Sequence, residues 1–195
     1  FLLQFAINLI CFLAETEPPN VDRYPIQKQC INLLQKQINS ELSASLVYLN
    51  MAAHFDNVDI GRKGFAKFFK HSSFEEREHA QKIIDYVNLR GGRVTAVDVK
   101  MPIRDEWPDA LTALREAMEL ETKVNNEIHE IHYKAEHVCK DPHLMDFLES
   151  EFMEEQINSI NELRHMISML SAMNNGMGEY HIDRELFYDK HSKDK

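Results

Sequence analysis

The fold is decided by residues 62–89, which read RKGFAKFFKHSSFEEREHAQKIIDYVNL. Apolar side chains recur along this stretch at steps of three and four, from Phe65 to Ile83, as in an amphipathic helix packed into a bundle. Near the middle of the stripe, the apolar pattern is interrupted by Glu76 and His79. The stretch therefore predicts a helix that turns a carboxylate and an imidazole towards the protein core.

Three further segments show the same spacing and are predicted to be helices, over residues 25–54, 110–138 and 142–173. The stripe of the last segment is predicted to begin with Met145 and Glu149. One polar side chain interrupts each of these stripes near its middle. In chain order, these side chains are Glu41, Glu121 and Gln156. Each of the four predicted helices therefore points a metal-ligand residue type, or its amide relative, at a common centre.

The lengths of the connections set the expected topology. Residues 55–61 separate the first two helices only briefly, so these helices should be antiparallel neighbours. Residues 94–108 contain Pro102 and Pro108 and form a connection long enough to run the length of a bundle. A short fifth helix is expected between residues 179 and 188. We predict an all-α fold: a four-helix bundle with a long crossover between helices two and three and a short fifth C-terminal helix.

Composition narrows the class of protein. The chain has 195 residues, of which 44% are hydrophobic, and this is enough for a sizeable core. Lys and Arg number 22, Asp and Glu number 32, and the net charge is −10. Because no basic stripe stands out, the sequence predicts no nucleic-acid partner and no membrane partner. An acidic surface suits cations instead.

The first 14 residues, FLLQFAINLICFLA, carry no charge. They are too few to span a bilayer but match the apolar part of a signal peptide, and the chain begins with Phe rather than Met. We expect residues 1–16 to be an N-terminally incomplete signal peptide, followed by a polar lead-in (17–24), one domain (25–190) and a polar tail (191–195). The protein would then be secreted. A buried N-terminal helix is the alternative, and without a genuine leader the protein would be cytoplasmic.

The cysteines are too few for a disulfide scaffold, since the chain has only three and no CxxC pair. In an oxidising compartment, Cys30 and Cys139 could form a disulfide, because both fall near the same end of the predicted bundle. Two unrelated buried thiols are the alternative.

The interrupted stripes predict a metal centre inside the bundle. A carboxylate buried without a partner costs several kcal/mol, so three of them need cations or protons. Glu76 and His79 lie three residues apart on one helical face, and such a Glu-x-x-His pair is one half of a carboxylate-bridged dimetal site. The first ion is expected to take Glu41, Glu76 and His79. The second is expected to take Glu121 and a share of Glu76, with Gln156 nearby.

The second half of this centre departs from a symmetric site, because the fourth helix has Gln156 and Ser159 where Glu and His would repeat. Three carboxylates then face the four positive charges of two ferrous ions, or six after oxidation. Such a site suits metal that arrives, reacts with dioxygen and leaves. Tyr48, on the same stripe as Glu41, could hydrogen-bond a ligand or supply an electron, or it could be an ordinary core tyrosine.

Three motifs closely resemble ferritin: EEREHA at residues 75–80, RGGR at 90–93 and DPHLMDF at 141–147. The similarity covers residues 24–188 and is to the heavy-type, ferroxidase-competent subunit, here in a secreted form. The resemblance implies a ferritin-like bundle whose dinuclear centre oxidises Fe(II) with dioxygen. It also implies 24 subunits, homomeric or mixed, in a hollow shell around ferric mineral. The ferroxidase positions that it implies are Glu41, Glu76, His79, Glu121 and Gln156, with Tyr48 beside them.

The resemblance implies two further acidic sites. His143, Asp146 and Glu149 match residues that line an ion-entry channel at the three-fold axis of ferritins, although an ordinary acidic first helical turn would look the same. Glu75 and Glu78 match cavity-facing acids that nucleate mineral. Gln81 replaces the third acid of that group, and a solvated helix face is the alternative.

Two other functions fit parts of the pattern. A secreted iron carrier or reserve shell would use the same bundle with little catalytic turnover. A long-chain helical cytokine would also combine a signal peptide with a crossover bundle. The carboxylates on the helical stripes disfavour the cytokine, because its core has no reason to bury them.

Overall fold

The structure is a computed structural model that describes residues 22–173 and 176–188. The proposed signal peptide (1–16) and polar tail (191–195) lie outside the described residues, as does most of the lead-in. The only regular secondary structure in the described residues is helical, with no strand, so the predicted all-α fold is confirmed. Its helices are α1 (Lys28–Asp56), α2 (Lys63–Leu89), α3 (Ala110–Lys134), α4 (Pro142–Leu148), α5 (Glu154–Met173) and α6 (Gly176–Tyr188).

Two π-helical turns interrupt the second half of the bundle. One, Ala135–Cys139, extends α3, and the other, Glu149–Met153, joins α4 to α5 so that the two form a single fourth rod. A π turn contains one residue more than an α turn. The extra residue rotates the side chains before the turn about the helix axis, relative to those after it. The prediction that the buried stripe of the fourth rod begins with Met145 and Glu149 is therefore wrong. Leu144 and Leu148 are buried instead, and Glu149 is exposed.

The connection between α2 and α3 is the predicted crossover. Its backbone N–H groups donate to polar side chains along the outer face of α1. Thr95 N lies 2.8 Å from Gln35 Oε1, and Lys100 N lies 3.0 Å from Ser43 Oγ. Farther on, Asn50 Nδ2 of α1 donates to the carbonyl of Arg104 at 3.3 Å. Because the contacts advance along α1 as the chain advances, the connection runs lengthwise along the bundle.

A buried ion pair and a disulfide fasten one end of the bundle. Arg90, just after α2, donates to both carboxylate oxygens of Asp141 at 3.2 and 2.8 Å. Asp141 also caps the start of α4 by accepting from Leu144 N at 3.0 Å. Cys30 of α1 is bonded to Cys139 of the first π turn, with their Cα atoms 6.6 Å apart. The start of α1 and the end of α2 are thereby both tied to the connection between α3 and α4.

Two carboxylates of α6 hold that helix against the other end of the bundle. Asp183 Oδ1 accepts hydrogen bonds from the backbone N–H groups of Gly64 (2.8 Å) and Phe65 (3.1 Å) at the start of α2. Glu179 accepts from Arg62 Nε at 2.8 Å and from the backbone N–H of Ala110 at 3.1 Å. The C-terminal helix therefore supplies acceptors to the first turns of both α2 and α3, where backbone donors lack intrahelical partners.

The apolar core is divided into two clusters. One contains Cys30, Leu34, Ile83 and Phe152, and the other, towards α6, contains Phe55, Phe65, Leu114 and Ile182. A layer of buried polar side chains separates them at mid-bundle. Among the helices that the structure describes, none is both long and apolar enough to cross a membrane.

Candidate metal centre

The buried polar layer is made of the side chains that interrupt the helical stripes. Each of the four rods contributes at least one side chain, because the polar residues that interrupt the apolar stripes lie at the same level along the bundle axis. All five side chains are buried. They are Glu41 from α1, Glu76 and His79 from α2, Glu121 from α3 and Gln156 from α5.

Three of these side chains are close enough to share one ion. Glu41, Glu76 and His79 each offer a ligand atom, and these atoms lie within 4.8 Å of one another. They are the residues expected around the first ion. Two carboxylates and an imidazole from neighbouring helices make the type of ligand set that bundle proteins use for iron-class metals.

The polar atoms of the layer lack the donors that buried acceptors ordinarily have. Among the described residues, the buried side-chain atoms that have no hydrogen-bond partner include four that belong to this layer. Such atoms cost free energy unless a cation, a proton or a water satisfies them. They are Glu41 Oε2, Glu76 Oε2, His79 Nδ1 and Gln156 Oε1. A cation at this place would satisfy these atoms, and their oxygen and imidazole nitrogen donors fit metal ions.

The carboxylate expected at the second ion is held from two sides. Tyr48 donates a hydrogen bond from its hydroxyl to Glu121 Oε1. Gln156 Nε2 donates to Glu121 Oε2 at 3.1 Å. This arrangement leaves Gln156 Oε1 facing the layer, and it places Tyr48 in direct contact with a predicted ligand rather than among apolar side chains alone.

Burial dominates the electrostatics of the carboxyl groups. It raises the pKa of Glu41 well above the ordinary value, and the neighbouring Glu76 adds to the rise. It also raises the pKa of Glu76, with the charge of Glu121 acting in the same direction. Like charges crowded in a poorly solvated layer resist ionisation together, so the metal-free centre retains protons that a cation would displace.

Burial also raises the pKa of the Tyr48 hydroxyl well above its usual value, and the adjacent Glu121 raises it further. Tyr48 therefore stays protonated at neutral pH and remains a donor. For His79, burial acts to lower the pKa, but the hydrogen bond to Glu155 and the charge of Glu41 outweigh it and raise the pKa. For the pKa of this imidazole, the two acidic neighbours therefore outweigh the effect of burial.

Two residues at the centre were not predicted from the sequence. Gln37 is buried and donates from Nε2 to Glu41 Oε1 at 2.8 Å. Its position, four residues before Glu41 on the same helix, was a usable signal. The second is Glu155, whose Oε1 lies 3.0 Å from His79 Nε2. It has no comparable signal, because its partner lies on another helix.

A cavity of about 320 Å³ adjoins the centre. Its lining includes the ligands Glu76 and His79 together with the half-buried Glu75. Glu75 Oε1 lies 3.1 Å from Nε2 of the exposed His71. Glu78, the other residue expected to nucleate mineral, is exposed and does not line this cavity. Of these two residues, only Glu75 therefore lines the cavity next to the centre.

The three residues expected at an ion channel lie apart from the ligand cluster, on the surface. His143, Asp146 and Glu149 are all exposed on the rod that starts at Pro142. Nδ1 of His143 lies 3.2 Å from the hydroxyl of Tyr86, and Glu149 Oε1 lies 2.6 Å from Nε2 of His132. The structure thus leaves two carboxylates and an imidazole exposed at the beginning of the fourth rod.

Comparison with known proteins gives concordant matches. The family model for the Ferritin-like domain matches residues 31–173. The soma ferritin of Lymnaea stagnalis is 48% identical over 155 residues, which cover 78% of this chain and 87% of that protein. The ferritin middle subunit of Aquarana catesbeiana is 43% identical over 173 residues, or 87% of this chain and 94% of that protein.

Proposed function

Because the chain belongs to the ferritin family, whose members store iron, we propose that it is a heavy-type subunit that also oxidises Fe(II) with dioxygen. One observation carries the catalytic part of this proposal. Buried ligand-type atoms of Glu41, Glu76, His79 and Gln156 converge at mid-bundle without partners among the described residues. A subunit that only built a shell would gain nothing from such an unsatisfied layer.

Iron is the substrate of this reaction, and the side chains bind it. Glu41, Glu76 and His79 would hold one Fe(II), while Glu121, Glu76 and Gln156 would hold the second. Two Fe(II) ions supply two electrons, which with two protons from solvent reduce dioxygen to hydrogen peroxide and leave two Fe(III). Tyr48 and Gln156 keep Glu121 oriented through the hydrogen bonds to its two oxygens.

The small number of carboxylates favours release of the product. Three carboxylates balance most of the charge of two Fe(II) ions but only half that of two Fe(III) ions. The oxidised pair is therefore held less well than a resident cofactor would be. The cavity lined by Glu75 and Glu155 offers an acidic way out of the layer. We propose that Glu75 and Glu78 then help to nucleate ferric mineral.

A closed shell of 24 subunits is the proposed assembly, homomeric or mixed. It is supported by large apolar side chains that α6 leaves exposed, among them Met177 (70%) and Tyr188 (63%). In such a shell, symmetry-related copies of His143, Asp146 and Glu149 would concentrate Fe(II) at an entry channel by electrostatic attraction.

Residues 1–16 are proposed as a signal peptide, which would place the shell in the secretory pathway or outside the cell. The bond between Cys30 and Cys139 supports this location, because disulfides persist mainly in oxidising compartments. N-terminal sequencing of protein recovered from the medium of expressing cells tests the proposal. A mature chain starting near residue 17 is expected, whereas retention of the intact leader inside cells would contradict it.

The catalytic proposal is tested by adding Fe(II) aerobically and following the rise of ferric absorbance. The variant with both Glu76→Ala and His79→Ala should lose fast oxidation. Asp85→Ala, at an exposed carboxylate of the same helix with no proposed role in iron handling, is the matched control and should keep it. Sedimentation of each variant checks that the shell is intact. Equal slow rates in the wild type and the double variant would instead indicate an iron carrier or reserve shell with little turnover.

A further inference from the structure

Glu155 contacts the metal-ligand histidine at Nε2, the ring nitrogen that is not the one nearest Glu76. Its Oε1 lies 3.0 Å from His79 Nε2. The other ring nitrogen, Nδ1, lies 3.8 Å from Glu76 Oε2, is buried, and receives no hydrogen bond from any described residue. The two nitrogens of one imidazole thus have different surroundings: one faces a carboxylate acceptor and the other faces the ligand cluster.

This difference determines which nitrogen can bind metal. A neutral imidazole carries one proton, and a nitrogen that bears it has no lone pair to offer. With Glu155 accepting the proton on Nε2, the lone pair is left on Nδ1, towards Glu41 and Glu76. Metal-bound histidines commonly donate their second N–H to such an acceptor, which fixes both tautomer and ring orientation.

We propose that Glu155 is a positioning residue, which holds His79 in the Nε2–H tautomer with Nδ1 aimed at the first metal ion. The inference rests on the proposed function and adds to it a residue outside the ligand set. Among the described residues, the ligand atoms that cluster within 4.8 Å belong to Glu41, Glu76 and His79, and Glu155 is not one of them. Its contact with the centre runs through the imidazole ring.

The ring is also held from a second direction by the same rod. Phe152, three residues before Glu155, is buried and packs edge-on against His79, with ring centroids 5.5 Å apart. Residues three apart lie on neighbouring parts of one helical face, so the fourth rod supplies both contacts.

Co(II) binding tests the proposal, because Co(II) has a visible spectrum that reports on its ligands and needs no oxidation step. Glu155→Ala removes the acceptor and should weaken Co(II) binding by roughly 10- to 100-fold and alter the visible band. Glu155→Gln keeps an oxygen that can accept the Nε2 proton, so it should restore most of the affinity. Glu154→Gln, an exposed neighbour on the same rod, is the control and should behave as the wild type.

A His79→Ala background separates positioning from direct binding. If Glu155 acts through the ring, Glu155→Ala should produce no further loss once His79 is absent. An equal loss in that background would overturn the proposal, because Glu155 would then act on the metal itself. Unchanged Co(II) binding in Glu155→Ala would overturn it too, as would a Glu155→Gln variant as weak as Glu155→Ala.

The outcomes also separate this proposal from the proposed function. A wild-type protein that binds Co(II) but does not oxidise Fe(II) would remove the ferroxidase activity and leave the positioning role standing. If the wild-type protein oxidises Fe(II) quickly but no change at Glu155 affects the Co(II) spectrum, the ferroxidase activity stands and the positioning role is overturned. A wild-type protein without a Co(II) band dependent on His79 would overturn the positioning role directly.

Discussion

Tyr48 and Glu121 are joined by a hydrogen bond that crosses the bundle from α1 to α3 and links residues 73 positions apart in the chain. Both side chains are buried, and the phenol ring also stacks on Phe69 with a centroid separation of 6.2 Å. One oxygen of Glu121 is engaged by Tyr48 and the other by Gln156. The carboxylate proposed for the second ion therefore accepts a hydrogen bond on each of its two oxygens.

Replacing Tyr48 with Phe should slow Fe(II) oxidation by about tenfold, or roughly 1.4 kcal/mol in the barrier. The ring packing is kept, but Glu121 loses a donor and can rotate away from the second ion. Stopped-flow absorbance measures the rate. Tyr133→Phe, at an exposed tyrosine of α3, is the control. An oxidation rate in Tyr48→Phe equal to that of the wild type would contradict a role for this hydrogen bond.

Binding of a redox-inactive divalent ion such as Zn(II) should release protons at mildly acidic pH. The pKa values of Glu41 and Glu76 are raised by burial, so the metal-free centre holds protons that the unfolded chain has already lost. Their contribution to folding stability is therefore present at acid pH and declines as the pH rises through the raised pKa values. Zn(II) affinity should correspondingly fall as the pH is lowered.

Calorimetry in buffers of different ionisation enthalpy counts the released protons. Glu76→Gln should reduce the number, because the amide has no proton to displace. Asp85→Asn, at an exposed carboxylate of the same helix, should not change it. Zn(II) binding to the wild type without any proton release would show that the carboxyl groups are already ionised.

Gly64→Ala should displace α6 from the bundle. A Cβ at Gly64 would lie 1.8 Å from the backbone oxygen of Asp183, so α6 must move and the hydrogen bonds to Asp183 must weaken. We expect a loss of about 1–3 kcal/mol in the free energy of unfolding, as for other overpacked sites. Urea unfolding and the rate of proteolysis at the C-terminal helix measure the two effects.

Gly176→Ala is the matched control for this prediction, since a Cβ at Gly176 meets no atom within 4 Å. It should leave the unfolding midpoint and the proteolysis rate nearly unchanged. If Gly64→Ala is as stable as Gly176→Ala and its C-terminal helix is equally protected, the close approach of α6 to the start of α2 does not exist in solution.

The disulfide between Cys30 and Cys139 should stabilise the fold by about 2–4 kcal/mol, because it closes a loop of 109 residues in the unfolded chain. Cys30→Ser with Cys139→Ser should lower the unfolding free energy by this amount and leave the metal centre intact. Peptide mapping under non-reducing conditions should find the two cysteine peptides linked. Free thiols at both positions in protein folded under oxidising conditions would be the contrary result.

The positions of the buried polar side chains could be predicted because they depend on local spacing. Glu41, Glu76 and His79 each interrupt an apolar stripe, and helical periodicity brings such residues to one face without knowledge of the fold. The crossover was also predictable, because Pro102 excludes a helix interior and the connection is long enough to run the length of the bundle. Connection length and periodicity thus account for most of the architecture.

Contacts that depend on how one rod is rotated against another were not predictable in this way. Glu155 meets His79 only because the fourth rod turns it towards α2, and its neighbour Gln156 would be an equally good candidate from spacing alone. The π turns have no spacing signature either. They moved the buried stripe from Met145 to Leu144, and this small rotation also determines which side chains of the rod reach the centre.

The two π turns have a consequence for how the length of this chain can vary. A one-residue deletion in an α-helix rotates every later side chain by about 100° around the axis, which would turn Gln156 away from Glu121. Each π turn already contains the extra residue, so a deletion within 135–139 or 149–153 converts it to an ordinary turn and leaves the flanking rods in phase. Natural length differences among homologous chains should collect at these two places. The chain can thereby lose a residue at either place over evolution while the side chains of the centre stay in register.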